Sequence, residues 1–208
     1  MRFILLIAAL LALPLSVSAQ ETGSYIEGTH YQVVTPVQRT RNPEQIEVVE
    51  FFWYGCGHCY NFEPVIAQWK KTIGEDVDFV PSPAMWNAPM EVHAQAFYTA
   101  QALGAIGVMH DALFAAINVD RKRMTDEDEI AQLFVANGVD AEAFSKAFTS
   151  FGVSSQVRQA SARARGARIT GTPELLVNGK YLISSRMAGG QAEMLKVADF
   201  LIEKERAK

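Results

Sequence analysis

Cysteine is scarce in this chain, because its 208 residues include only two, Cys56 and Cys59. A protein held together by disulfide staples carries several spaced pairs, so stability here must come from a packed core. Hydrophobic residues make up 49% of the chain, which is ample for such a core. The length predicts one domain, or one domain that carries a sizeable insertion.

Long runs of one charge sign are also missing, and the formal net charge is −4. Without a basic tract we expect no nucleic-acid partner, and without an acidic run we expect no charged tail. Metal ligands are sparse as well, since zinc takes about four and His30, His93 and His110 are scattered. We therefore predict no metal and no cofactor, and we interpret His93 and His110 as ordinary helix residues.

The chain begins with an apolar run, Phe3 to Leu13, which follows Arg2. The run is too short to span a bilayer comfortably, and it ends in the small residues Val17-Ser18-Ala19. This pattern is typical of a secretory signal. We predict that residues 1–19 are a signal peptide that is removed after Ala19. An uncleaved membrane anchor is the alternative.

The two cysteines form a Cys-x-x-Cys motif between a predicted buried strand and a predicted helix, Tyr60 to Gly74. A strand that delivers this motif to a helix start is typical of thioredoxin-like redox proteins. The unpaired N–H groups and partial positive charge of a helix start stabilise a thiolate and lower its pKa. We therefore predict that Cys56 attacks and that Cys59, one turn inside the helix, resolves.

His58 lies between the cysteines and would add a positive charge beside Cys56 when protonated, so it is a further candidate catalytic residue. A structural disulfide is one alternative for the pair, but a bridge that closes so short a loop restrains little of the unfolded chain. A zinc site is another alternative, but the sequence offers no second ligand pair.

Glu50 interrupts the apolar run that predicts a central strand over Glu47–Trp53. A continuous apolar run suits a strand that is buried on both faces, and a carboxylate under apolar cover has a raised pKa. Because Glu50 shortly precedes Cys56, we predict that it takes the proton of Cys59 as the disulfide forms. A carboxylate that points to solvent near the strand end is the alternative.

The remaining pattern separates a strand-containing part from a helical part. We predict one α/β domain from residues 20–82 and 150–208, with an inserted helical subdomain at 83–149. The other predicted strands are Tyr31–Val37, Val77–Val80 (stopped by Pro81 and Pro83), Glu174–Val177 and Lys180–Ile183, and the later predicted helices are Glu91–Leu103, His110–Ile117, Asp126–Ala136, Asp140–Phe148, Ser154–Gly166 and Ala192–Lys204.

Pro173 lies at the mouth of the predicted strand Glu174–Val177. Proline at such a position is unusual unless its missing N–H has a use. A cis bond before it would leave the Thr172 backbone free to pair with an extended peptide beside Cys56. We therefore predict that Thr172 and Pro173 bind substrate. A trans turn proline is the commoner form and stays an alternative.

Taken together, these motifs resemble the DsbA family of bacterial periplasmic thiol:disulfide interchange proteins. The resemblance covers essentially the whole mature chain, and the inserted helical subdomain also fits the family. The matching residues are Val48-Val49-Glu50-Phe51-Phe52, Cys56-Gly57-His58-Cys59-Tyr60, Phe62-Glu63, Gly171-Thr172-Pro173 and Val177-Asn178-Gly179-Lys180-Tyr181.

The resemblance implies a thioredoxin fold, with a central mixed sheet flanked by helices, and a periplasmic location. It implies that the Cys56–Cys59 disulfide is donated to newly exported, unfolded proteins through a mixed disulfide at Cys56. A membrane partner of the DsbB type would then reoxidise the pair. Thr172-Pro173 would be the cis-proline element that faces the disulfide.

The chain departs from the best-known family members at three places. Those members have proline at the position of Gly57 and valine at the position of Thr172. Some members also pair the buried glutamate with a lysine, which has no counterpart in Val77–Pro83. The first difference affects redox poise, because the two residues between the cysteines tune it.

Two other functions use the same features. A reductase or isomerase of the same fold would use the same cysteines with a different redox poise. Typical isomerases are dimers, and because the sequence contains no separate dimerisation segment we expect a monomer. A non-catalytic periplasmic chaperone, which would bind peptides along Thr172-Pro173 and apolar surface, is the alternative from another class.

Overall fold

The computed structural model describes residues 25–208, so the predicted signal peptide lies outside the described residues. Within this range five strands form one sheet in the order β1-β5-β4-β2-β3. No helix among these residues combines the length and the apolar composition that crossing a bilayer requires. The elements are β1 (Gln32–Val33), β2 (Ile46–Phe52), α1 (Gly57–Trp69), β3 (Val77–Pro83), α2 (Ala88–Ala102), α3 (Ile106–Asn118), α4 (Glu127–Ala136), α5 (Ala141–Phe148), α6 (Phe151–Ala167), β4 (Glu174–Val177), β5 (Tyr181–Ser184), α7 (Ser185–Ala188) and α8 (Gln191–Arg206).

The central strand is β2, and apolar side chains cover both of its faces. Val48 packs into a core shared with α1 and α8, whereas Val49 and Phe51 pack into a second core shared with α6. β2 pairs in parallel with β3 and antiparallel with β4, so it has a neighbour on each side. The prediction of a doubly buried strand from the continuous apolar pattern is therefore confirmed.

Helices α2 to α5 follow one another between β3 and α6, and they pack around an aromatic core. Phe97 of α2 and Phe114 of α3 belong to this core, together with Phe52 and Tyr54 from the end of β2 and the turn after it. The helical part is thus packed directly against the end of the central strand. The α/β fold with an inserted helical subdomain is confirmed, while its limits at 83 and 149 stay a prediction.

β3 runs through to Pro83, so the prediction that Pro81 and Pro83 stop this strand is wrong. β3 lies at the edge of the sheet, and there a proline's missing N–H costs no ladder bond when it faces away from the neighbouring strand. In the parallel register Pro81 lies opposite Glu50, and Pro83 lies opposite Phe52. The edge strand therefore covers β2 up to its last residue.

Three further differences concern the ends of two elements and one unpredicted helix. β1 is shorter than the predicted strand, because only Gln32 and Val33 pair with β5. α1 ends at Trp69 instead of near Gly74. A turn follows Trp69, in which the Thr72 hydroxyl donates to the Trp69 carbonyl at 2.7 Å. α7 has no counterpart among the predicted helices, because four residues are too few to show a helical repeat.

Candidate redox site

The two cysteines lie at the start of α1. Cys56 is the N-cap residue with extended backbone (φ −93°, ψ 108°), and its Sγ accepts the N–H of Cys59 at 3.4 Å. At most helix starts a side-chain oxygen of the N-cap residue accepts a hydrogen bond from one of the unpaired N–H groups of the first turn. Here the acceptor is the sulfur of Cys56. Cys56 is half-buried and Cys59 fully buried, and both are free thiols.

The two sulfurs have opposite acid–base properties. The hydrogen bond from the Cys59 side chain is the main cause that lowers the pKa of Cys56 to about 5, and it outweighs the opposing effect of burial. The Thr172 side chain and the N–H groups of Cys59 and His58 lower the pKa of Cys56 further. Burial, followed by the hydrogen bond with Cys56, raises the pKa of Cys59 far above its ordinary value. At pH 7 the reduced pair is therefore one thiolate and one thiol.

Thr172 and Pro173 lie next to the reactive sulfur. The peptide bond between them is cis, and the thiol form of Cys56 donates to the Thr172 carbonyl at 3.4 Å. Thr172 is partly exposed and Pro173 is buried. Among residues 25–208 the Thr172 N–H has no hydrogen-bond acceptor, so this backbone donor is unpaired in that part of the chain.

Glu50 is buried in β2, with only 2% of its surface exposed. Its Oε1 has no hydrogen-bond partner within the described part of the chain, so the alternative of a solvent-facing carboxylate does not apply. Burial is the main cause that raises the pKa of Glu50 well above its ordinary value, and the neighbouring Glu63 raises it further. The Lys70 ammonium acts in the opposite direction. The geometry favours a neutral, protonated Glu50 beneath the site.

Lys70 is a site residue that the sequence did not reveal. It follows α1 and lines a cavity of about 400 Å³ together with Glu50 and Glu63. The segment Val77–Pro83 contains no lysine that could pair with Glu50. The lysine comes instead from the residue that follows α1. The sequence places Lys70 one helix length after the cysteines. That position alone does not indicate that Lys70 shares a cavity with Glu50.

His58 differs from the other predicted residues, because its side chain is exposed. Its backbone carbonyl accepts a hydrogen bond from the Gln191 side chain at 2.6 Å, which ties the active-site turn to the start of α8. Within residues 25–208 no group of three or more His, Cys, Asp and Glu side chains could hold a metal ion.

The helical subdomain also reaches the site, through side chains that looked like ordinary helix residues. His93 of α2 accepts the indole N–H of Trp53 at 2.9 Å, and Nδ1 of His110 in α3 lies 2.9 Å from the Tyr54 hydroxyl. Both aromatic residues belong to the turn before Cys56. The sequence signal was weak: His93 lies on the apolar face of its helix, four residues before Phe97, and no spacing rule names its partner.

A mixed sheet, a Cys-x-x-Cys motif at the start of the first helix and a cis-proline against the reactive sulfur define a class. The class is that of the thioredoxin-fold dithiol–disulfide oxidoreductases. A family model described as the DSBA-like thioredoxin domain matches residues 66–201. The chain belongs to this DsbA-like family and is a thiol:disulfide oxidoreductase.

Curated relatives match over the full chain. The thiol:disulfide interchange protein DsbA of Pseudomonas aeruginosa is 40% identical over 207 residues, which cover 100% of this chain and 98% of the relative. The protein of the same name from Pseudomonas syringae is 41% identical over 208 residues, which cover 100% of this chain and 97% of the relative.

Solved structures agree with this assignment. The crystal structure of Pseudomonas aeruginosa DsbA, 41% identical, has a TM-score of 0.84 and covers 88% of this chain and 95% of its own. The oxidoreductase DsbA from Xylella fastidiosa, 30% identical, has a TM-score of 0.79 and covers 86% of this chain and 96% of its own. The thioredoxin fold predicted from the sequence is therefore confirmed.

Proposed function

We propose that this protein oxidises pairs of thiols in newly exported, unfolded proteins by transferring its Cys56–Cys59 disulfide to them. The observation that carries the proposal is the lowered pKa of Cys56, about 5, beside the raised pKa of Cys59. A stabilised thiolate stabilises the reduced form of the pair. The oxidised form therefore passes its disulfide on readily.

The transfer takes two exchange steps. A substrate thiolate attacks Sγ of Cys56, the Cys56–Cys59 bond breaks, and Cys59 leaves with the electron pair and takes up a proton. A second substrate thiolate then attacks the substrate sulfur of the mixed disulfide, and Cys56 leaves as a thiolate. The substrate loses two electrons and the pair gains two, so the reaction balances without a cofactor. A sulfur of low pKa is the better leaving group in the second step.

Glu50 serves the proton movement of the first step. Cys59 is buried and has a strongly raised pKa, so it cannot leave as a lasting thiolate. A protonated Glu50 can give it a proton, and an ionised Glu50 can take that proton back when the pair is reoxidised. The cavity that Glu50 shares with Glu63 and Lys70 offers a route by which protons exchange with solvent.

Thr172 and Pro173 hold the substrate chain. Within residues 25–208 the Thr172 N–H has no acceptor, Thr172 is partly exposed, and its carbonyl lies 3.4 Å from Sγ of Cys56. An extended peptide that pairs with this backbone would place its own cysteine next to Cys56. His58 contributes positive charge at the exposed rim of the same site when it is protonated.

The cellular setting follows from the same proposal. The N-terminal signal directs the chain to the periplasm, where a membrane reoxidase of the DsbB type restores the disulfide. The protein works as a monomer with no nucleic-acid partner. Support comes from the signal pattern in residues 1–19 and from the DsbA name of the full-length relatives.

The test compares the protein with its Cys56→Ser variant on a reduced, unfolded substrate that needs a disulfide to become active. We expect stoichiometric oxidation by the disulfide form of the protein and none by the variant. A Cys59→Ser variant has no disulfide to donate, so it should likewise leave the reduced substrate unoxidised. If the substrate is oxidised equally well with the Cys56→Ser variant, the Cys56–Cys59 pair is not the disulfide donor and the proposal is wrong.

A further inference from the structure

The turn Trp53–Gly55 directly precedes Cys56, the N-cap residue of α1. Side chains of the helical subdomain form hydrogen bonds to this turn. The Trp53 indole N–H donates to Nδ1 of His93 at 2.9 Å. The Tyr54 hydroxyl lies 2.9 Å from Nδ1 of His110, and the Tyr54 carbonyl accepts the Asn118 amide at 2.8 Å. We call His93, His110 and Asn118 the turn clamp.

The hydrogen-bond role of His93 is determined by its partner, whereas His110 faces a hydroxyl that can donate or accept. An indole N–H can only donate, so Nδ1 of His93 must accept, and its Nε2–H donates to the Arg123 carbonyl at 3.3 Å. Burial raises the pKa of Tyr54 well above its ordinary value, so this phenol keeps its proton and has it available to donate to His110. With Nδ1 of His110 as the acceptor, Nε2 carries the ring proton; it lies 3.3 Å from Oε1 of Glu63 without completing a hydrogen bond to it.

The clamp is connected to Cys56 through the backbone of the turn. The Cys56 N–H donates to the Trp53 carbonyl at 2.9 Å. The Trp53 ring also covers Gly55, since a Cβ added there would lie only 2.3 Å from the ring. A shift of the Trp53 side chain would therefore move the residues on which the position of Cys56 depends.

The position of Cys56 matters because its thiolate is stabilised by directional contacts. Its Sγ accepts the Cys59 N–H at 3.4 Å. A small displacement of the turn would weaken this hydrogen bond. It would also move the sulfur away from the partial positive charge of the helix N-terminus. Without the clamp the sulfur would titrate closer to an ordinary cysteine.

We propose that His93 and His110 are positioning residues of the redox site, which hold the turn from the helical subdomain through acceptor Nδ1 atoms. The inference rests on the proposed function only in assigning both residues to the same site. It also gives the inserted subdomain a task in the chemistry, since α2 and α3 each provide one acceptor for the turn.

The test uses paired substitutions. His93→Leu removes the acceptor, whereas His93→Asn places an amide oxygen near the position of Nδ1; His110→Leu and His110→Asn form the second pair. The matched control is His30→Leu, since Nδ1 of His30 accepts the Ile26 N–H, away from the site. The readouts are hydrogen exchange of the Trp53 indole N–H by NMR, with Trp69 and Trp86 as internal references, and the thiolate absorbance titration of Cys56.

For His93→Leu we expect at least about tenfold faster exchange of the Trp53 indole N–H and a rise of about one unit in the pKa of Cys56, a tenfold change in ionisation. His93→Asn should restore both readings, and His30→Leu should change neither. For position 110 we expect the pKa of Cys56 to rise in the leucine variant and to recover in the asparagine variant. Leucine variants with unchanged readings overturn the proposal, as do asparagine variants that behave like the leucine ones.

A second perturbation avoids the helical core in case a leucine variant does not fold. Gly55→Ala adds a methyl group against the Trp53 ring, so it should displace the indole and raise the pKa of Cys56 as His93→Leu does. Gly107→Ala is the control, because nothing lies within 4 Å of its added Cβ. An unchanged Cys56 titration in Gly55→Ala would contradict the proposal. None of these readouts needs a substrate, so they stay decisive even if the disulfide-donor function fails.

Discussion

The low pKa of Cys56 predicts that the reduced protein gains stability over the oxidised protein as pH rises from 4 to 7. In the reduced form Cys56 ionises with a pKa of about 5 when folded, compared with 9 as its ordinary value. In the oxidised form Cys56 is part of a disulfide and does not titrate. A group whose folded pKa is depressed contributes stability above that value and loses it as pH falls through it.

The magnitude follows from the two pKa values. At pH 7 the folded thiolate lies about two pH units above its pKa, whereas an unfolded cysteine is still protonated. Each unit corresponds to about 1.4 kcal/mol, which gives about 3 kcal/mol in favour of the folded reduced form. Solvent screening at the half-buried sulfur brings this to about 2–3 kcal/mol. At pH 4 both states are protonated and the contribution disappears.

The assay is denaturant unfolding of the oxidised and the reduced protein at pH 4 and at pH 7. The free energy of unfolding of the reduced form, minus that of the oxidised form, should increase by about 2–3 kcal/mol between the two pH values. Cys56→Ser provides the control, because it lacks the titrating sulfur: its free energy of unfolding, minus that of the oxidised protein, should not show this increase. A difference that is the same at both pH values would refute the reasoning.

Three further predictions concern single side chains. Cys59→Ala should raise the pKa of Cys56, because the hydrogen bond from the Cys59 side chain is the main cause that lowers it. Thiolate absorbance measures the change, and an unchanged titration of Cys56 would contradict the assigned cause. Glu50→Gln should stabilise the protein at pH 7 but not at pH 3, since a raised folded pKa costs stability above the unfolded pKa near 4.5; urea unfolding checks this, with exposed Glu44→Gln as the control. Phe52→Ala should destabilise the protein by about 3–5 kcal/mol, because a fully buried ring that joins β2 to the helical core leaves a cavity; a loss below about 1 kcal/mol would contradict that packing.

The architecture was predictable wherever a pattern was local. The continuous apolar run of β2 and the repeat of α8 each depend on neighbouring residues, and each agrees with the structure. The extent of β3 was not predictable in this way. Pro81 disfavours a central strand but is tolerated on an edge strand, and the sheet order is not visible in the local sequence.

The same limit applies to the site. The spacing of Cys56 and Cys59 placed both at a helix start, because that relation lies within a few residues. Lys70 beside Glu50, and His93 against Trp53, are contacts between elements that only the folded packing brings together. A polar residue on an apolar helix face indicates a buried partner, but the partner's identity comes from the structure.

The redox equilibrium of the Cys56–Cys59 pair against a glutathione buffer tests the central claim most directly. If the helix start stabilises the Cys56 thiolate as described, the pair should be more oxidising than glutathione and stay largely reduced at glutathione ratios that keep thioredoxin-like pairs oxidised. A pair as reducing as thioredoxin would contradict the account of a disulfide donor, while the fold and the oxidoreductase class would stand.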